Sequence, residues 1–153
     1  MGKVKRQIAA LPLRWKGNEV QILMVTSRDT GRWVVPKGWT MKDETPWDAA
    51  AIEALEEAGA KGRIAREVFG HYAYLKKLDD GTAQPCRVAV YPMVVSRLKS
   101  NWKEKDQRTR RWFGLVEAAD LVDEPELSAM LLRLKARPKK APVAGPLLRK
   151  AAS

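Results

Sequence analysis

The chain has a single cysteine and a single histidine among 153 residues, and each scarcity removes a class of chemistry. One thiol cannot close an internal disulfide or build a cysteine metal cluster. Cys86 stands in the apolar run CRVAVYPMVV and is expected as a buried core thiol, with the cytoplasm as the default compartment. His71 lies between Gly70 and Tyr72 in a strand pattern and is expected to be a packed or hydrogen-bonded residue rather than a catalytic one. Long apolar runs are also missing: none approaches the roughly 20 residues that span a bilayer. The opening MGKVKRQIAALPLRW offers only a brief, proline-broken apolar stretch, so neither a signal peptide nor a membrane helix is expected. Arg6 stands where a myristoylation signal wants Ser or Thr.

Acidic residues are scarce relative to basic ones, 18 against 29, which leaves a formal net charge of +11. The excess is uneven. Arg133, Lys135, Arg137, Lys139, Lys140, Arg149 and Lys150 follow one another with no acid between or after them. Because Pro138, Pro142 and Pro146 break this stretch, residues 137–153 are expected to form a loosely ordered basic tail. Such a tail either solubilises the chain or contacts RNA, DNA or another polyanion. Residues 1–136 read as one globular domain, since 45% hydrophobic composition at this length is enough for a proper core.

Periodicity gives the order of elements. Residues 5–14 and 19–27 are apolar runs around the turn WKGN, and VQILMVTS is apolar on both faces, as a central strand should be. RWVVP is a short strand after the turn RDTG, and PKGWTMKDE has no usable period and is expected as a loop. Thr45 can cap a helix, Pro46 suits its first turn, Asp48 can answer the cap and Gly59 can close it, which predicts a helix over 46–58. Strands are expected over 63–77 and 86–98 around LDDGTA, with another in TRRWFGL, followed by helical EAADLV and PELSAMLLRLKA. There is no internal repeat. This order favours an α+β sandwich over a parallel doubly wound sheet.

The acids that are present are concentrated. On the predicted helix, AAAIEALEEAGA places Glu53, Glu56 and Glu57 at i, i+3 and i+4, on one face and among alanines. Like charges at these offsets repel by a few tenths of a kcal/mol per pair (about 0.2–0.5). The face is therefore either solvated and mildly unfavourable, or a place where cations gather.

Upstream spacing bears on that choice. From Gly38 the chain runs five residues to Glu44, seven more to Ile52, and then Glu53, Ala54, Leu55, Glu56, Glu57, Ala58, Gly59 and Ala60. This resembles the Nudix box at six of its seven glycine and charged positions, the departure being Ile52 where the family has arginine. TSRDTGRWVVPKGW, EVFGHYAY and RTRRWFGLVEA are similar to segments of the diphosphoinositol polyphosphate and diadenosine polyphosphate hydrolase branch, so the resemblance covers residues 6–134.

The resemblance implies an α/β/α sandwich with a mixed sheet, and hydrolysis of a phosphoanhydride with Mg²⁺ or Mn²⁺. Glu56 and Glu57 become the expected principal metal ligands, with the Gly38 carbonyl completing the site. Glu53 is a further ligand or the base. Glu44 supports the loop and helix. Glu104 is an extra ligand or base, or a charged surface residue. Arg28, Arg32, Lys37, Arg108, Arg110 and Arg111 fall near the expected site as cations for substrate phosphates, and Trp39 as a substrate contact. A small-molecule polyphosphate is the expected partner. Ile52 cannot hold a box glutamate as the arginine would, so weakened catalysis is expected, with an Ile52→Arg gain of about tenfold in kcat. The competing class is a Nudix fold that binds polyphosphate, or RNA through its tail, without turnover.

Overall fold

The computed structural model describes residues 3–152. Strands β1 (Lys5–Lys16) and β2 (Glu19–Thr26) form a hairpin whose two-residue turn places Gly17 at φ +62°, a left-handed value that glycine takes without strain. Next come β3 (Trp33–Val34), β4 (Lys37–Trp39), α1 (Pro46–Ala58), β5 (Ala60–Ile64), β6 (Gly70–Lys77), β7 (Ala83–Leu98) and β8 (Arg110–Gly114). Helices α2 (Leu115–Leu121), α3 (Pro125–Ala136) and α4 (Ala144–Ala152) complete the chain, with a 3₁₀ turn at Pro138–Lys140. None of the helices among the described residues is long and apolar enough to cross a membrane.

The sheet runs β3-β2-β1-β7-β5, with β4 paired to β1, β6 to β7 and β8 to β2. It is mixed, because β1 and β7 run parallel from Lys5↔Cys86 to Leu13↔Val94 while every other pairing is antiparallel. Both faces of β1 are buried. Ala9, Leu11 and Leu13 join the core under α2, α3 and α4, while Ile8 and Ala10 meet α1 on the opposite face. The result is a helix-sheet-helix sandwich. On α1, Ala49, Ala50, Ala54 and Ala58 are wholly buried against the sheet, so the alanines let the carboxylate helix lie close to the central strands.

Two expectations need correction. The segment read as a loop contains β4, where Lys37, Gly38 and Trp39 pair with Ala9, Ile8 and Gln7. Edge pairing on β1 supplies the order that the local sequence lacks. The basic tail is also folded. Ala141, Ala144 and Leu148 are buried in the core that the sheet shares with α2 and α3, and the Trp15 indole donates to the Leu148 carbonyl at 2.9 Å. On α4, Ala144 and Leu148 stand four residues apart and turn one face to this core, which outweighs the charges and prolines around it.

Candidate active site

The carboxylate helix is fixed at both ends. Thr45 accepts a hydrogen bond from the Asp48 N–H at 3.2 Å, Pro46 opens the first turn, and Gly59 closes the helix at φ +66°. Carbonyls at the end of a helix have no partner within it, and here the segment 99–110 provides them. The Lys99 N–H donates to Gly59, Trp102 Nε1 to Glu57, the Glu104 N–H to Glu56, and Arg110 Nη1 to Ala58, at 2.8 to 3.1 Å. The contacts that hold the helix end thus bring Glu104 beside Glu56 and Glu57.

These residues border a cleft of about 420 Å³ lined by Gly38, Glu53, Glu56, Glu57 and Glu104 together with Arg28, Lys37, Trp39, Lys76, Lys103 and Arg108. A larger groove of about 780 Å³ lies between Trp15 and Arg137–Lys140, but no carboxylate lines it. Chemistry rather than size selects the smaller one. Glu57 is 5% exposed and hydrogen-bonded to Glu53. Burial first, then that bond, pushes the Glu57 carboxyl up to about 8, against the pull of Arg108 and Lys37. Burial also raises Glu53, and the neighbouring Glu56 and Glu104 add to the effect. Gly38 makes room for this pair, since a Cβ there would sit 2.5 Å from the Glu53 carboxylate.

A buried carboxyl beside a half-buried one is a suitable donor set for a hard divalent ion, whose charge would offset their repulsion. Glu56 reaches Lys103 at 3.3 Å instead of its neighbours. Among the described residues no three acidic, histidine or cysteine side chains enclose an ion by themselves. Mg²⁺ usually takes one or two carboxylates and fills its shell with water and substrate oxygens, so the residues present fit it in that manner. Glu53, Glu57, the Gly38 carbonyl and, after release from Lys103, Glu56 are the groups available.

The expected substrate cations divide into two sets. Arg28 lies at the rim, 3.0 Å from Gln107 Oε1 and 3.7 Å from Glu104. Burial lowers the Lys37 ammonium, which stands 5.2 Å over the Tyr74 ring. Trp39 is 42% exposed, with Lys5 and Lys76 each 5.9 Å from its ring. Three arginines do not line the cleft. Arg32 pairs with Glu124 at 3.0 Å and Asp123 at 3.4 Å, and borders an adjoining hollow with Lys37 and Lys76. Arg110 stacks 3.8 Å over Trp102 and is consumed by the Ala58 and Lys99 carbonyls. Arg111 alternates with it on β8 and lies over Phe113.

Other expectations are also revised. Arg108 lines the cleft but is occupied by Glu104 and Glu57. His71 is an exposed residue of β6 rather than a packed one, and lies outside the cleft. Glu44 is exposed, and with Ile52 borders a shallow hollow away from the cleft. Gln7, Tyr74, Lys76 and Lys103 were not anticipated. Strand alternation was the available signal, because Tyr72, Tyr74 and Lys76 share one face of β6, and Gln7 is a polar residue among buried β1 positions.

Comparison with known proteins gives a consistent picture. The family model described as NUDIX domain matches residues 5–134. Nudix hydrolase 16, mitochondrial, of Arabidopsis thaliana is 34% identical over 119 residues, 76% of this chain and 66% of that protein. Diphosphoinositol polyphosphate phosphohydrolase 3-beta of Homo sapiens is 30% identical over 135 residues, 86% of this chain and 78% of the relative. The chain spans 53% to 66% of the length of the plant relatives it matches. In fold it resembles the crystal structure of C. elegans Ap4A hydrolase, with a TM-score of 0.62 at 19% identity, covering 88% of this chain and 98% of that one.

Proposed function

The chain belongs to the Nudix family, and from that premise we propose that it hydrolyses phosphoanhydride bonds in a multiply phosphorylated substrate with the help of Mg²⁺ or Mn²⁺. The observation that carries the reading is the pairing of buried Glu57 with half-buried Glu53, seated on Gly38 inside a rim of cations. Phosphoryl transfer asks chiefly for positioning and charge stabilisation, and the cleft divides these tasks between its walls. Lys37, Lys76, Arg28 and Lys103 hold phosphate oxygens, and the exposed face of Trp39 supports the non-reacting part of the substrate. The divalent ion, when bound, neutralises anhydride oxygens and lowers the pKa of the attacking water. Glu53 or Glu104 takes the proton from that water, and Glu53→Gln and Glu104→Gln measured side by side assign the base.

The cationic rim continues through Lys37 and Lys76 into the hollow bordered by Arg32 and Lys77. That continuity favours substrates with several phosphates, of the diadenosine polyphosphate or diphosphoinositol polyphosphate kind after which two of the similar proteins are named. The test is a product profile with and without Mg²⁺ and Mn²⁺ across both kinds, inorganic polyphosphate, nucleoside triphosphates and capped RNA. Divalent-dependent release of phosphate or nucleotide supports the reading. Tight binding without turnover supports a ligand-holding module instead.

A separate observation favours a second partner. The groove beside Trp15 is lined by Arg137, Lys139 and Lys140 with no acid among its lining residues, which suits a nucleic acid or other polyanion. RNA binding whose salt dependence weakens when Lys139 and Lys140 become Gln would support it; an unchanged slope would not.

A further inference from the structure

We infer that Arg108 is a positioning residue of this active site, holding Glu57 and Glu104 in working orientation in place of the arginine that the box lacks. The inference rests on the proposed hydrolase reading. Ile52 occupies the arginine position, and its side chain borders a hollow shared with Leu55 and Met93 rather than the cleft. Arg108 approaches from the other side, just ahead of β8. Its Nε lies 2.8 Å from Glu104 Oε1, its Nη2 3.7 Å from Glu57 Oε1, and its Nη1 donates to the Thr26 carbonyl at 3.0 Å.

One planar fork thus ties β2, α1 and the 99–109 segment together. Its side chain is 9% exposed, with Glu57 at 6% and Glu104 at 13%, so solvent screens these pairs little. Paired hydrogen bonds in Thr26–Thr109, N–H to carbonyl at 3.0 Å and N–H to hydroxyl at 2.9 Å, fix the backbone beside it. With its donors turned to these partners, Arg108 is a poor candidate for gripping substrate phosphate. Its guanidinium instead sets where two carboxylates point, and lysine would supply the charge without the fork.

The test measures kcat and KM for the best anhydride substrate together with Mn²⁺ affinity by electron paramagnetic resonance, in wild type, Arg108→Gln and Arg108→Lys. Loss of an outer positioning partner typically costs about 10–100-fold in metal affinity or activity. Arg108→Gln is expected to lower kcat by about 10²-fold with KM within about threefold, and to weaken Mn²⁺ binding by about tenfold. Arg108→Lys is expected to recover part of both. A raised KM at unchanged kcat would make Arg108 a substrate ligand and overturn the proposal. Tighter or unchanged Mn²⁺ binding would reduce it to a repelling charge or a bystander, with the same consequence. Should Arg108→Gln not fold, Arg108→Lys decides by the same two readouts. If the wild type hydrolyses nothing, the hydrolase reading fails, and Mn²⁺ affinity still decides whether Arg108 orients the carboxylates.

Discussion

Removing the charge from Glu57 should stabilise the metal-free protein at alkaline pH while destroying its metal response. The folded-state carboxyl stands at about 8 against an ordinary value of 4.5, so between those two values the folded state holds a proton that the unfolded state has lost. Stability from this group is therefore fully present below about 4.5 and is lost as pH rises toward about 8. At about 1.4 kcal/mol per tenfold change in acidity, the difference is at most ~5 kcal/mol, and less if Glu53 absorbs part of the titration. For a domain of this size 1 kcal/mol shifts Tm by roughly 2–4 °C, which gives at most roughly 10–20 °C in total. Glu57→Gln keeps the shape and removes the titration. In chelator, the two proteins should melt together at about pH 5, and the variant should melt higher at about pH 9, by up to roughly 10–20 °C. Adding Mg²⁺ at the higher pH should raise the wild type and leave the variant in place. A Tm difference that does not vary with pH, or an equal Mg²⁺ response in both, would refute the reasoning.

The packed C-terminus and the altered box each yield a further test. Leu148 is wholly buried where α4 packs on β1 and β7, so Leu148→Ala should cost about 2–5 kcal/mol in denaturant melts, whereas a loosely attached tail would show almost none. Ile52→Arg should leave kcat within about threefold of wild type, because Arg108 already occupies Glu57 and Glu104; a gain of about tenfold would show that the box position still limits catalysis.

The carboxylate helix was legible in the sequence because its signals are local. Thr45, Pro46, Asp48 and Gly59 act within a few residues of themselves, and the helix observed is Pro46–Ala58. The convergence of Glu53 and Glu57 follows from the helical repeat alone. What was not legible depends on distant partners. Arg108, Arg110 and Arg111 sit within four residues of one another, and their fates differ because β8 alternates and the preceding segment turns back onto the end of α1. The same holds for β4, whose order comes from β1, and for α4, whose buried face acquires meaning only once Trp15 and the β1–β7 face of the sheet are in place.

The cleft carboxylates are proposed to serve a divalent-dependent hydrolase, and the most direct test is a titration of Mg²⁺ and of Mn²⁺ against the rate of phosphoanhydride hydrolysis, for wild type and Glu56→Gln at matched stability. The wild-type rate should rise from near zero in chelator to a plateau, and Glu56→Gln should remain near background at every concentration of either ion. Hydrolysis that persists in chelator, or near-wild-type turnover by Glu56→Gln at saturating Mg²⁺, would contradict it.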